Sequence, residues 1–342
     1  MIKLLNVRII PFVFLFFLTL WSSAQDIHFS QIHTVPLMLN PAATGIMESQ
    51  FRLATNYRNQ WRQIDFPYVS NYLSFDTRFH LLGRSLGLGA FLLHDQSSSL
   101  YLTADKIYIS LDHSFYFRNH QLSIGIQPGW VLKSFDSRSI SFGSQFDPGS
   151  DSFNPVLPSG ESMLEDRMNY FDLNMGIFWR SRIRQVKYMS GVSVSHINRP
   201  VESFYVRNDS TRLPLKLMVH GSISLPLGNR FSLMPLYHFS NTSGTNELIT
   251  GLITKYHPGH PELAIEDLFV VSQIRINAFD NADAVILGAG ARFMSFSLCI
   301  SYDFTVSGLR KVTGLQRAFE ISLVYEIRKY KSERVTEPCY ML

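Results

Sequence analysis

The chain is expected to be all-β: a transmembrane antiparallel β-barrel of the outer-membrane type, with about fourteen strands. Three observations predict it. Apolar residues recur at every second position through much of the chain. Beyond the first 24 residues no run of eighteen apolar residues offers a membrane helix. The 27 Phe, 15 Tyr and 4 Trp accompany many Ser, Asn and Gly, as expected of aromatic bands beside a small polar face in lipid.

At the start, Lys3 and Arg8 precede the apolar run from Ile9 to Trp21, which ends in Ser22, Ser23 and Ala24. This order reads as a secretory signal peptide over 1–24, cleaved after Ala24. No cysteine follows the run, so a lipid anchor is not expected. Residues 25–48 form an N-terminal segment that is too apolar for a free tail. It is expected either to enter the barrel as a plug-like element or to cap it from the periplasm.

The barrel is expected over 49–328. A strand with every second residue apolar covers one face, and in a bilayer that face meets lipid while the other points into the lumen. In 122–132, Leu122, Ile124, Ile126, Trp130 and Leu132 alternate with Ser123, Gly125, Gln127 and Gly129. Phe296, Leu298, Ile300, Tyr302 and Phe304 alternate in the same way, as do Phe319, Ile321, Leu323 and Tyr325. Backbone groups cannot stay unpaired in hydrocarbon, so the sheet must close.

Strands are expected near 51–60, 68–79, 85–94, 104–117, 121–135, 169–180, 187–197, 212–225, 231–240, 247–256, 267–277, 284–292, 294–307 and 317–328. Gly143 to Arg167, with three prolines, reads as the longest loop. An even strand count puts both termini on one side. With the termini periplasmic, 95–103, 136–168 and 241–246 face outward, while 181–186 and 257–266 face the periplasm. Residues 329–342 are a C-terminal periplasmic tail. A soluble β-sandwich also alternates, but its wet face would carry more Lys and Glu than the Ser, Gly and Asn seen here.

The formal charge of +4, with Lys and Arg scattered singly, points to no nucleic-acid partner. Cys299 and Cys339 are expected to be unpaired. The eleven histidines show no metal-ligand spacing, so neither metal nor cofactor is expected. Ser195 and His196, being adjacent on a strand, face opposite ways and cannot form a nucleophile–base pair. No G-x-S-x-G elbow is present, so catalysis by a lipid-modifying enzyme is not favoured.

Four stretches stand out: QDIHFSQIHTVPLMLNPAATG at 25–45, YRNQW at 57–61, GVSVSHINRP at 191–200, and YDFTVSGL from Tyr302 followed by AFEISLVY. In this order and spacing they resemble the PorP/SprF family of outer-membrane proteins over nearly all of the mature chain. The resemblance implies a non-catalytic component of type IX protein secretion and gliding motility, located in the cell outer membrane of Bacteroidetes-type bacteria. The partners it implies are secreted surface proteins or adhesin C-terminal domains, periplasmic ring proteins, an outer-membrane lipoprotein, and the lipids and lipopolysaccharide around the barrel. An outer-membrane solute channel is the alternative.

The residues permit a physical reading beside the resemblance. Pro41 biases Asn40 toward an extended backbone, and Gly45 supplies a positive φ before the first strand. In YRNQW, Trp61 and Tyr57 suit the interfacial girdle, while Arg58 and Gln60 face the lumen. Asp303, Glu320 and Glu326 are candidate counter-charges for Arg58, because an unpaired buried charge is costly. The lumenal face as a whole is expected to be small and sparsely charged, which suits docking better than an open pore.

Overall fold

Period-two patterning produces strands, and a computed structural model shows how they close. It describes residues 27–60, 67–97, 101–136, 141–154, 156–160, 164–206, 211–259, 264–277, 281–306 and 317–328. The signal-peptide reading, Trp61, Cys339, His260 and the C-terminal tail lie outside those residues. In chain order the strands are β1 (Ser49–Gln60), β2 (Tyr68–Leu81), β3 (Arg84–Ser97), β4 (Leu102–Phe117) and β5 (His120–Ser134). After a two-stranded hairpin of β6 (Phe146–Asp147) and β7 (Ser152–Phe153) come β8 (Arg167–Ile183), β9 (Val186–Ser195), β10 (Lys216–Leu227) and β11 (Phe231–Thr242). The wall finishes with β12 (Thr245–Tyr256), β13 (Ile265–Asn277), β14 (Asn281–Phe293), β15 (Phe296–Thr305) and β16 (Arg317–Arg328).

Apart from β6 and β7, these strands form one closed antiparallel barrel of fourteen, each paired with its neighbour in sequence and β1 sealed against β16. Along β1 and β16 the seam runs from Phe51 opposite Ile327 to Gln60 opposite Ala318. Closure removes the free edge that lipid could not satisfy. Among the described residues no helix is long and apolar enough to cross a membrane. The outward face carries Leu53, Leu73, Phe75, Ile107, Ile126 and Trp130, all exposed on the isolated chain. Their sequence neighbours Ala54, Tyr72, Ser74, Gln127 and Val131 are buried inside.

The two ends of the barrel differ. The end that holds the start of β1 and the finish of β16 is closed mostly by tight turns. In the 82–83 turn, Leu82 and Gly83 both take positive φ, of 51° and 73°, the backbone that matches the twist of the flanking strands. The opposite end carries the long connections 135–166 and 196–215. These meet through a bridge between Leu164 and Tyr205, a hydrogen bond from Glu165 N to Phe204 O (2.8 Å), and an edge-on contact between Phe135 and Phe204.

Several strand limits differ from expectation, three of them for a visible reason. His196 leaves the sheet at φ 60°, so β9 stops at Ser195. Met294, at φ 48°, belongs to the turn before β15 and not to the strand. β10 starts at Lys216, because residues before it serve the loop pairing of Val201 with Arg212.

The core lies inside the barrel, between its wall and residues 27–48. This segment makes a 3₁₀ turn at Ile32–Thr34, one helical turn α1 (Pro36–Leu39), and a second 3₁₀ turn at Pro41–Ala43. Phe29, Val35 and Leu37 pack with Tyr72, Phe91, Leu93 and Tyr108 of β2 to β4. Ile32 packs on the other side with Leu236, Ile249, Phe269 and Ile286. Burying each such side chain stabilises by roughly 1.5–3 kcal/mol, so apolar burial holds the segment within the bore.

Candidate functional site

The N-terminal segment meets the wall at three levels, and together these form the candidate site. Nearest the long loops is an ionic cluster. Register places Arg58 of β1 opposite Glu320 of β16 across the seam, and Arg58 Nη1 donates to Glu320 Oε2 at 3.1 Å. Arg58 Nη2 donates to Asp303 Oδ2 at 3.0 Å and to Gln60 Oε1 at 3.3 Å. Arg275 of β13 also reaches Asp303 Oδ2, at 3.1 Å, and pairs through Nε with Asp283 at 2.8 Å. Arg58 is 2 % exposed and Glu320 0 %, so each charge depends on its partner, not on water.

The segment completes this cluster. The backbone N–H groups of Ser30 and Gln31 donate to the two oxygens of Glu320, at 2.8 and 3.0 Å. Ser30 Oγ donates to Asp303 at 2.6 Å and accepts from Arg58 at 2.7 Å. Asn56 of β1 donates to Thr34 and to Glu320. A carboxylate that accepts main-chain N–H groups and faces a guanidinium forms the stronger, charge-assisted kind of hydrogen bond.

The middle level is steric. Asn40, fully buried with φ −158° and ψ 120°, caps the turn at 41–43 by accepting from Ala42 N at 2.9 Å. Its amide also donates to Ile177 O of β8 at 3.0 Å and to Val192 O of β9 at 3.3 Å, and lies 3.2 Å from His220 Nε2. These contacts require bare wall backbone. A Cβ on Gly125 would lie 2.4 Å from the backbone of Pro41 and Ala42, and one on Gly176 would lie 2.0 Å from Asn40 Oδ1. Glycine within a strand marks such a close approach of another backbone.

The third level lies at the tight-turn end. Gly45, at φ 67°, donates its N–H to Asp76 Oδ2 at 2.6 Å. Asp76 is held in turn by a two-pronged contact from Arg52, at 3.0 and 2.7 Å. Arg78 donates to Gly45 O and Thr44 O, both at 2.8 Å, and pairs with Asp112.

Of the residues singled out in the sequence, Asn40, Pro41, Arg58, Asp303 and Glu320 therefore line contacts between segment and wall, while Gln60 accepts only from Arg58 of its own strand. Glu326 does not join Arg58. It lies six positions along β16 from Glu320 and stands opposite Arg52 in the seam register. The expectation of a sparsely charged lumen is corrected as well: Arg52, Arg58, Arg78, Arg275, Asp76, Asp112, Asp303 and Glu320 all face inward, concentrated at the two outer levels.

Sequence reading passed over Arg52, Asp76, Arg78 and Asp112, as well as Gly125 and Gly176. The signal for the glycines was their place on the inward face of strands otherwise rich in side chains. His196 bonds locally, with Nδ1 2.9 Å from Asp172 Oδ2, which also accepts from Tyr108 Oη at 2.5 Å. Cys299 is free and buried, and no group of three or more metal-ligating residues is present among the described residues.

Comparison with known proteins places this geometry. The closed fold is similar to the Ralstonia pickettii toluene transporter TbuX, with TM-score 0.51, 10% identity, and coverage of 87% of this chain and 94% of that one. It is also similar to the deltaS2S3 mutant of the monoaromatic hydrocarbon channel TodX of P. putida, with TM-score 0.50, 9% identity, and coverage of 86% and 94%. At such identities the likeness is one of fold alone. No curated protein matches the chain in sequence. A family described as "Type IX secretion system membrane protein PorP/SprF" matches residues 21–325, which takes in the N-terminal segment and nearly the whole wall. The chain thus belongs to the PorP/SprF family of type IX secretion system membrane proteins and is a multi-pass β-barrel of the outer membrane.

Proposed function

We propose that this barrel is a non-catalytic docking component of type IX secretion. In this reading its bore is plugged by residues 27–48, and its long loops hold a secreted surface protein through that protein's C-terminal domain. The termini face the periplasm, where ring proteins or a lipoprotein reach the tight-turn end, and the long loops face outward. The observation that carries the reading is the anchored segment, which meets the wall at three levels and leaves the loops as the accessible surface.

Those loops offer apolar groups to a partner: Phe153, Val156, Tyr205 and Val206 are exposed on the connections that pair with one another. Exposed apolar side chains on such loops suit protein contact. Purification from native membranes is the test. Recovery of a large surface protein or of secretion components supports docking, and recovery of the barrel alone in mild detergent sinks it.

A solute channel is the second reading, favoured by the likeness in fold to a toluene transporter and a hydrocarbon channel. Planar-bilayer recording separates the two. The docking reading expects no sustained conductance from the intact barrel, and a large open conductance with the segment in place would favour transport.

A further inference from the structure

One sector of the tight-turn end carries an excess of positive charge. From Leu173 to Val201 the sequence holds Arg180, Arg182, Arg184, Lys187 and Arg199 and no acid, and from His113 to Phe135 it holds Arg118 and Lys133 and no acid. Pairing of β5 with β8 brings the two stretches together. Gln121 stands opposite Arg180, and Arg182 N donates to Asn119 O at 3.1 Å. Arg118 and Arg184 then occupy neighbouring exposed turns, separated by two strand spacings, or roughly 10 Å. Arg180 and Arg182 share the inward face of β8 with the buried Asn174 and Phe178, so they look into the mouth of the barrel and not into lipid.

These charges are poorly matched within the chain. Register sets Arg182 of β8 directly opposite Lys187 of β9, and like charges facing one another across a sheet are destabilising. The side chains of Arg118, Arg180, Arg182 and Arg184 make no hydrogen bond or ion pair among the described residues. A carboxylate does reach the sector from the mouth side: Glu48, at the end of the N-terminal segment, pairs with Lys187. Its carboxyl is held below the ordinary range, first by the hydrogen bond from Lys187 and then, against the cost of burial, by the charges of Lys187, Arg180 and Arg182. Glu48 thus engages the lysine and leaves the four arginines in excess.

We propose that this rim, formed by Arg118, Arg180, Arg182 and Arg184, binds an acidic segment of a partner protein. The carboxylates of that segment pair with guanidinium forks, whose planar geometry matches them. Glu48 shows the approach, a carboxylate borne on a polypeptide and entering at the mouth. The spread of the arginines over two turns exceeds the reach of one carboxylate or phosphate and suits several acidic side chains in succession. The inference rests on the docking reading for the partner being a protein, and it concerns the tight-turn end alone. Failure to recover a surface protein at the loops is therefore a separate outcome.

Fluorescence anisotropy of end-labelled decaglutamate, titrated with the full-length barrel in phosphatidylcholine nanodiscs, is the test. Saturable binding is expected, weakening at least tenfold from low to high salt as charges are screened, with decaserine unbound. Arg180→Gln combined with Arg182→Gln is expected to weaken binding at least tenfold. Arg292→Gln, at the same end but beside Asp267, should change it less than twofold. Glu48→Gln removes the competing carboxylate and should tighten it. Each variant is first shown to retain the heat-modifiable gel mobility of a closed barrel. Binding no greater than to empty nanodiscs, binding undiminished in the double variant, or an equal loss in Arg292→Gln overturns the proposal. So does complete displacement of decaglutamate by inorganic phosphate at matched ionic strength, which would assign the rim to single phosphate groups.

Discussion

The ionic level and the glycine level hold the same segment by opposite means. At the loop end, Ser30 and Gln31 are fixed because the wall supplies charges that need partners. In the middle, Asn40, Pro41 and Ala42 are fixed chiefly where the wall offers bare backbone at Gly125 and Gly176, with the His220 side chain also within reach of Asn40. The first level fails when an atom is removed and the second when an atom is added. The comparison shows that a lumenal anchor can rest on missing side chains as firmly as on charged ones.

The largest expected effect breaks the ionic level. Arg58→Met leaves Glu320 buried without its guanidinium, and destabilisation of roughly 3–5 kcal/mol is expected for a buried pair broken on one side. The temperature of the heat-modifiability transition measures it. Adding Glu320→Gln to Arg58→Met should recover part of the loss, since the uncompensated charge goes too. A double variant no better than the single would remove ion pairing from the account.

Next comes acid. His33 lies on the N-terminal segment, not on a wall strand, and neither ring nitrogen has a hydrogen-bond partner among the described residues. Burial first, then the charge of Lys255, pushes its pKa down to about 4. The released segment would protonate His33 near its ordinary value of 6.5, whereas the seated one resists. Seating is therefore at full strength above pH 6.5 and weakens as pH falls from there to about 4, by up to about 3 kcal/mol. Protease sensitivity of the segment at pH 7 and pH 4.5 reads this directly. His33→Phe should flatten the dependence.

The glycine level is tested by a single methyl group. Gly125→Ala places a Cβ where the Pro41–Ala42 backbone lies, and overpacking of this kind costs about 1–3 kcal/mol. A cysteine introduced at Ala43, buried in the parent, should then label faster with a maleimide. The same exchange at Gly228, whose added Cβ meets nothing within 4 Å, should leave labelling unchanged, although its positive φ of 64° strains any residue with a side chain. Asn40→Ala is the mildest change. It removes one turn cap and two bonds to strand carbonyls, for about 1–2 kcal/mol, and should quicken labelling less than Gly125→Ala does.

How much of this was legible depended on distance along the chain. Alternation marks each strand locally, so fourteen strands and an inward-facing Arg58 could be read from residues a few positions apart. The partners of Arg58 could not. Glu320 and Glu326 share a face of β16, and only the register of a seam joining the first strand to the last decides that Glu320 meets Arg58 while Glu326 meets Arg52. The charges at the tight-turn end were missed for a related reason: scattered singly, Arg52, Asp76, Arg78 and Asp112 look sparse until closure brings them together. Gly125 and Gly176 were visible as inward residues without side chains. Their meaning required a second chain segment to occupy the space they leave.

Arg58 and Glu320 sit on the two strands that meet last in sequence, and Ser30 and Gln31 bind the pair those strands create. Until the seam zips, the acceptor for the segment is split between two ends of the polypeptide. Once it zips, the acceptor is complete and faces the segment already tethered to β1. Ring closure and seating of the segment are thereby thermodynamically linked: whatever favours one favours the other, and an assembly intermediate that is sealed at its wall while the segment stays unseated is disfavoured by construction.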